Sequence, residues 1–373
     1  MTPGDHDSRF SRRALFAGAG AVAVGAAGVI AGRAWTDGDP GEVTTIAATG
    51  MHQAGIARPQ TPQRTCLVMV ADVDPGAIRA SLATLGDRVR ALASGTEPTV
   101  PASGDLSVTV GVGPRVLSAS GHPGISHLLT LPTFAGDEAL RADRRGGDLY
   151  ISLNADDPTV LEPAAAVVTE TIAGWRLRWS DLGFRGTPDG DIVRNPFGYH
   201  DGVVIPRGTE ELDREVWISD GPFAGGTICV IRRFRLATDR FRALSTTRRD
   251  QIIGREQGTG APLSGGVLHD EVNLTAKSAD GTFLTPAHSH VRAAHPSFTG
   301  SGLMLRRSYG YRTSADDHGH LFISFQKDIG TFTRTQLRMD DMDELMTFST
   351  PTATAAFLIL PGFTADRPLG SML

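Results

Sequence analysis

The chain of 373 residues has only two cysteines, Cys66 and Cys229, and no excess of positive charge. Two thiols are too few to staple a fold of this length, so no disulfide scaffold is expected. Each lies in an apolar run, Cys66-Leu67-Val68-Met69-Val70 and Thr227-Ile228-Cys229-Val230-Ile231, as buried core thiols do; the sequence leaves open whether they pair. Basic residues number 36 against 41 acidic, and residues 1–34 hold four of the former and two of the latter. The remainder therefore carries a formal charge of −7, without the basic face that nucleic acid requires, and no nucleic-acid partner is expected. A dinucleotide fingerprint is also missing, since Gly111-Val112-Gly113 is too short and wrongly placed for one. Nor is there a strongly apolar run of the ~20 residues that normally span a bilayer.

What the N-terminus does contain is Ser11-Arg12-Arg13-Ala14-Leu15-Phe16, a twin-arginine signature, followed by an apolar run at 14–31. Gly18, Gly20, Gly25 and Gly28 keep that run weakly hydrophobic, and Gly32 and Ala34 offer a cleavage point. Residues 1–34 read as a twin-arginine (Tat) signal peptide, with an uncleaved N-terminal anchor as the alternative, and 35–50 as a flexible leader. Export to the periplasm, cell surface or medium is expected, with the Tat translocon as a partner on the way. That route carries folded proteins, often with a cofactor already inserted.

The remaining ~340 residues exceed what one core usually supports, so two domains are expected, at 51–208 and 209–373. Strands are expected near 67–73, 108–112, 148–154, 227–236, 321–325 and 355–360. Helices are expected near 162–176, 246–256 and 335–346. The strands alternate as half-buried antiparallel strands do, so the fold class is α+β. The Gly/Pro/Asp-rich stretch 183–208 reads as a long loop, a length uncommon unless functional.

Three short motifs carry chemistry. Gly198-Tyr199-His200-Asp201-Gly202 sets a carboxylate in a loop, where an Asp beside Gly is most often a turn residue. The segment from Pro286 to Pro296 holds His288, His290 and His295, which as imidazoles form either a metal site or a surface cluster. A closed zinc site would add cysteine or carboxylate ligands at short spacing, and none lies there. A haem iron needs only one proximal imidazole. Arg306-Arg307-Ser308-Tyr309 supplies cations that alone would read as a solvated pair.

Taken in order, these motifs resemble those of the dye-decolorizing (DyP-type) haem peroxidase family, and most closely its exported deferrochelatase/peroxidase-like branch. The resemblance covers roughly 51–373. It begins at His52-Gln53-Ala54-Gly55-Ile56 and includes Gly147-Asp148-Leu149 and Ala155-Asp156-Asp157-Pro158. Arg194-Asn195-Pro196-Phe197-Gly198-Tyr199-His200-Asp201-Gly202 is similar to the family's distal loop with its G-x-x-D-G core. His290-Val291-Arg292 resembles the proximal-histidine segment, and Leu305 to Tyr311 the distal-arginine segment, followed by the strand from Gly319 to Gln326. The chain departs from the family at His200, Ile205-Pro206 and Ala294-His295-Pro296, where Lys, Asn-Pro and Ala-Asn-Pro are common.

The resemblance implies two ferredoxin-like domains with antiparallel sheets, and one haem b per chain held mainly by the C-terminal domain. It implies His290 as proximal iron ligand, Asp201 as distal acid–base and Arg306 as the distal cation, preferred to Arg307 because it lies five residues before Tyr311. Gly198, Gly202, His290 and Arg306 would border the cofactor. A positioned carboxylate can move a proton between the two oxygens of a peroxide, and a fixed guanidinium stabilises the developing negative charge. Hydrogen peroxide and a small organic reductant such as a dye are the implied substrates, and self-association is common in the family. Trp175, Trp179, Trp217, Tyr309 and Tyr311 are either surface oxidation sites or core aromatics. The other implied activity is haem handling, the release of iron from haem during iron uptake.

Overall fold

The computed structural model describes residues 45–188 and 192–373. The expected signal peptide 1–34, and the expected leader up to residue 44, lie outside them. The first half contributes β1 (Thr65–Asp72), β2 (Ser107–Val112), β3 (Leu149–Ala155) and β4 (Arg176–Phe184). They lie side by side in the order β2-β3-β1-β4, every pair antiparallel. The helices Ile78–Ser94 and Leu161–Thr171 make the crossovers between β1 and β2 and between β3 and β4. That is the ferredoxin-like arrangement.

A hairpin of β5 (Val193–Arg194) and β6 (His200–Asp201) follows. The second half then repeats the pattern with β7 (Thr227–Leu236), β8 (Leu305–Arg306), β9 (Tyr309–Arg312), β10 (His318–Gln326) and β11 (Ser349–Ile359). Here β7 lies between β11 and β10, and both β8 and β9 pair with the far edge of β10. The two halves join at both margins, β11 to β2 through Leu358↔Val112 and β4 to β9 through Gly183↔Tyr311. With β7 also paired to β10, the ring closes on itself, and such closure removes the exposed edges on which sheets aggregate.

Alternation along each strand sorts side chains between two layers. On β1, Cys66, Val68 and Val70 pack inside the ring with Tyr150, Cys229 and Phe357, whereas Leu67 and Met69 pack under the helices. Each such side chain contributes about 1.5–3 kcal/mol by leaving water. Both cysteines are free and fully buried. Burial pushes the Cys66 thiol up to about 12 and raises Cys229 as well, so neither presents a reactive thiolate. Arg232, wholly buried, is held by Asp137 through two bonds of 2.6 and 3.1 Å.

Two expectations need correcting at element ends. The helix expected at 162–176 stops at Thr171; Gly174, at φ +68°, turns the chain, and 176–184 form β4. There Trp179, Asp181 and Gly183 point inward and Ser180, Leu182 and Phe184 outward, a period of two that the preceding apolar spacing masks. The helix expected at 335–346 runs Ile329–Met342, begun by Asp328, whose side chain accepts from Gly330 N–H. The stretch expected as a loop at 183–208 contains the β5–β6 hairpin. Among the described residues no helix is long and apolar enough to cross a membrane.

Candidate active site

The loop from Asn195 to Gly202 is built to hold one carboxylate still. The Asn195 side chain accepts from the N–H groups of Phe197 and Tyr199, at 3.0 and 3.1 Å. Arg194 donates to the carbonyls of Gly198 and Gln257, at 2.8 and 2.6 Å, and Tyr199 Oη donates to Asp250 at 2.6 Å. Gly198 takes φ +87°, and a Cβ there would stand 2.8 Å from Gln257 Nε2. Gly202 also takes a left-handed φ, +85°, and turns the chain directly after Asp201. The two glycines thus shape the loop around Asp201.

Arg306, at the end of β8, brings Nη2 to 3.7 Å from Asp201 Oδ1 and anchors Nη1 on the Val204 carbonyl at 3.0 Å. Its neighbour Arg307 faces the other way. It donates to the carbonyls of Ile56, Pro59 and Gln60 and is buried without a carboxylate partner, which lowers its pKa to about 10. Strand alternation therefore separates the two arginines. Burial works to raise the Asp201 pKa, but the charges of Arg306, His320 and Arg185 and a bond from Gly202 N–H outweigh it. The carboxyl is held below its ordinary value.

His290 opens the short helix His290–Ala293, and its Nδ1 lies 2.6 Å from Asp343 Oδ2. The Asp343 side chain is fully buried and also accepts from Leu345 N–H at 2.9 Å. A carboxylate accepts, so Nδ1 carries the proton and Nε2 is left to coordinate. Burial lowers the His290 pKa, and the charge and hydrogen bond of Asp343 reverse this, raising it overall. His290 also feels the charges of Arg306 and Asp201, so these groups share one electrostatic site. The other histidines of the cluster do other work. His288 bonds the Met342 carbonyl, and His295 caps the helix Pro296–Thr299 and lies 3.6 Å from Glu271.

This donor set suits haem. One imidazole backed by a buried carboxylate offers a single protein ligand, and no group of three His, Cys, Asp or Glu among the described residues could hold a bare metal ion. An acid, Asp201, and a guanidinium, Arg306, stand 3.7 Å apart in the same site. Of the aromatic candidates, Trp179, Trp217, Tyr309 and Tyr311 are each 5% exposed or less, and Trp175 packs against the core. The first four are core aromatics, and Trp175 is partly buried at the core's edge.

Two residues of the site were not found by sequence reasoning. Asp343 lies in the acidic run Asp340-Asp341-Met342-Asp343-Glu344, 53 residues after its partner, and nothing in its spacing points to His290. His320 lies on β10 in His318-Gly319-His320, where strand period alone would have placed it on one face with Phe322.

The family models for the N-terminal and C-terminal parts of Dyp-type peroxidases match residues 53–185 and 193–364. A dye-decolorizing peroxidase of Thermobifida fusca is 33% identical over 297 residues, covering 74% of this chain and 68% of that protein. A deferrochelatase of Yersinia pestis is 28% identical over 356 residues, 84% of this chain and 81% of that one. Ferric DtpA from Streptomyces lividans superposes with a TM-score of 0.79 at 29% identity, over 87% of this chain and 96% of that chain. The chain belongs to the Dyp-type peroxidase family. It is a haem-dependent oxidoreductase with two ferredoxin-like domains, and its cofactor is haem b.

Proposed function

We propose that the protein reduces hydrogen peroxide and oxidises small organic donors such as dyes, with His290 as the proximal ligand of one haem per chain. When bound, the haem supplies the iron on which the O–O bond is split and the oxidising power passed to the donor. Asp201, ionised, takes the proton of the incoming peroxide and returns it to the departing oxygen, so that water leaves. Arg306 stabilises the negative charge that develops on that oxygen. Asp343 keeps the Nδ1 proton on His290, which orients Nε2 and strengthens it as a donor. Gly198 and Gly202 give the loop the turns that present Asp201.

The observation that carries this reading is the Asp201 carboxylate, held ionised 3.7 Å from Arg306 in the same field as the Asp343-backed His290. Substituting Asp201→Asn and Arg306→Leu tests it. Slow reaction with peroxide in haem-replete protein supports these roles, and wild-type rates in both variants exclude them.

A second reading, release of iron from haem, draws on the likeness to the deferrochelatase of Yersinia pestis. Metal-free porphyrin fluorescence appearing as the loaded protein is incubated with an iron chelator and a reductant would support it. Persistence of the haem spectrum would exclude it. We also propose export through the twin-arginine route, supported by Ser11-Arg12-Arg13-Ala14-Leu15-Phe16. Retention of an Arg12→Lys, Arg13→Lys double variant in the cytoplasm, with wild type outside it, is the corresponding test.

A further inference from the structure

One half-buried titratable group of the site has no part in the chemistry above. His320 stands on the outward face of β10 with His318 and Phe322, opposite Phe234 of β7 and Gly310 of β9. Its neighbours on that face are accounted for, since His318 bonds Thr238 Oγ1 and the Ala315 carbonyl, both at 2.9 Å. His320 is not. Its ring is half-buried beside Phe322, with centroids 6.4 Å apart, and its Nδ1 is closed off from solvent without a hydrogen-bond partner. A buried imidazole nitrogen without a partner is destabilising, so its place beside a cavity needs a reason.

The cavity supplies one. It has a volume of about 280 Å³, and His320 lines it together with Asp201. We propose that His320 is a positioning residue of the peroxide site: protonated in acid, it is a second cation that, with Arg306, keeps Asp201 in its ionised, proton-accepting form. The inference rests on the role of Asp201 proposed above.

The charges around His320 set its behaviour. Asp201 comes from β6, Arg306 from β8, Arg185 from the residue after β4 and His290 from its short helix; all four act on the imidazole. Arg194, Arg242 and Arg312 also border the cavity. Burial lowers the pKa of His320, Asp201 opposes this, and the repulsion of Arg185, Arg306 and His290 adds to burial. His320 is therefore neutral at neutral pH and gains its proton only below the ordinary histidine range. Asp201 in turn is favoured as the anion by the His320 charge. As pH falls, His320 takes up a proton. The cation so formed delays protonation of Asp201, and the acid limit of the reaction moves to lower pH.

The test compares haem-loaded wild type with His320→Leu, His320→Asn and Asp201→Asn, using two readouts across pH 3–8. One is the equilibrium affinity of the ferric protein for cyanide, which binds from HCN by giving its proton to an acceptor in the cavity. The other is the second-order rate constant with peroxide. Both His320 variants should keep the Soret band, while the acid limb of both curves moves up by about one pH unit. Agreement between the leucine and asparagine variants separates loss of charge from loss of shape. If Asp201→Asn removes the acid limb but neither His320 variant moves it, the inference on His320 is wrong and the role of Asp201 stands. If Asp201→Asn leaves the limb unchanged, the role of Asp201 fails, and the inference with it.

Discussion

Asp343 accepts the Nδ1 proton of His290 across 2.6 Å, although 53 residues separate them in the chain. The carboxylate is fully buried and bonded again by Leu345 N–H, so the imidazole is held in one tautomer and one orientation. Such outer partners typically contribute 10- to 100-fold to metal affinity or activity. Asp343→Asn should therefore weaken haem retention by about that factor and raise the reduction potential, because a neutral acceptor makes Nε2 a poorer donor. Haem transfer to a globin apoprotein and a potentiometric titration measure the two effects. His290→Ala should abolish the Soret band of the reconstituted protein.

Asp201→Asn should leave haem content unchanged and lower the rate constant with peroxide by about 10²- to 10⁴-fold, the usual weight of a positioned proton acceptor. The pH dependence follows from the sign of its shift. The ionised form is the active one and its pKa lies below the ordinary carboxylate value, so the rate should hold as pH falls through 5. It should decline only below about pH 4, where an unperturbed Asp would already be half protonated. Stopped-flow rates from pH 3 to 8 give the profile.

Adjacent arginines should behave oppositely. Arg306→Leu removes the cation beside Asp201, so the peroxide rate should fall by about 10²- to 10³-fold and the acid limb move upward, with thermal stability close to wild type. Arg307→Leu strands the carbonyls of Ile56, Pro59 and Gln60. It should lower Tm while leaving the rate per bound haem near wild type. Peroxide kinetics and a melting curve for each variant decide the assignment.

The ion pair between Arg232 and Asp137 is a stability element remote from the chemistry. Asp137→Ala leaves a wholly buried guanidinium without its counter-charge and should cost about 3–5 kcal/mol. Denaturant unfolding of both proteins gives that difference directly.

Much of this was legible in the sequence because the informative signals are local. Gly198, Asp201 and Gly202 sit within five residues, and β1, β2, β3 and β7 follow short, largely apolar runs such as Cys66 to Val70, which read as strands without tertiary information. Other features depend on the fold. Asp343 meets His290 only because the helix Ile329–Met342 ends beside the start of the helix His290–Ala293. Strand β4 follows a helix closely enough that Trp175 continues its apolar spacing, and only Gly174 marks the break. Closure of the ring rests on two short pairings, β11 with β2 and β4 with β9, which leave no mark in composition.

The most direct test of the account is a stopped-flow record of the Soret band after one equivalent of hydrogen peroxide, for wild type and Asp201→Asn. The account predicts a shift within milliseconds in wild type that reverses on adding a reducing dye, and the same shift slowed by about 100-fold or more in the variant. A band that only bleaches in wild type, or a variant that reacts as fast as wild type, would contradict it.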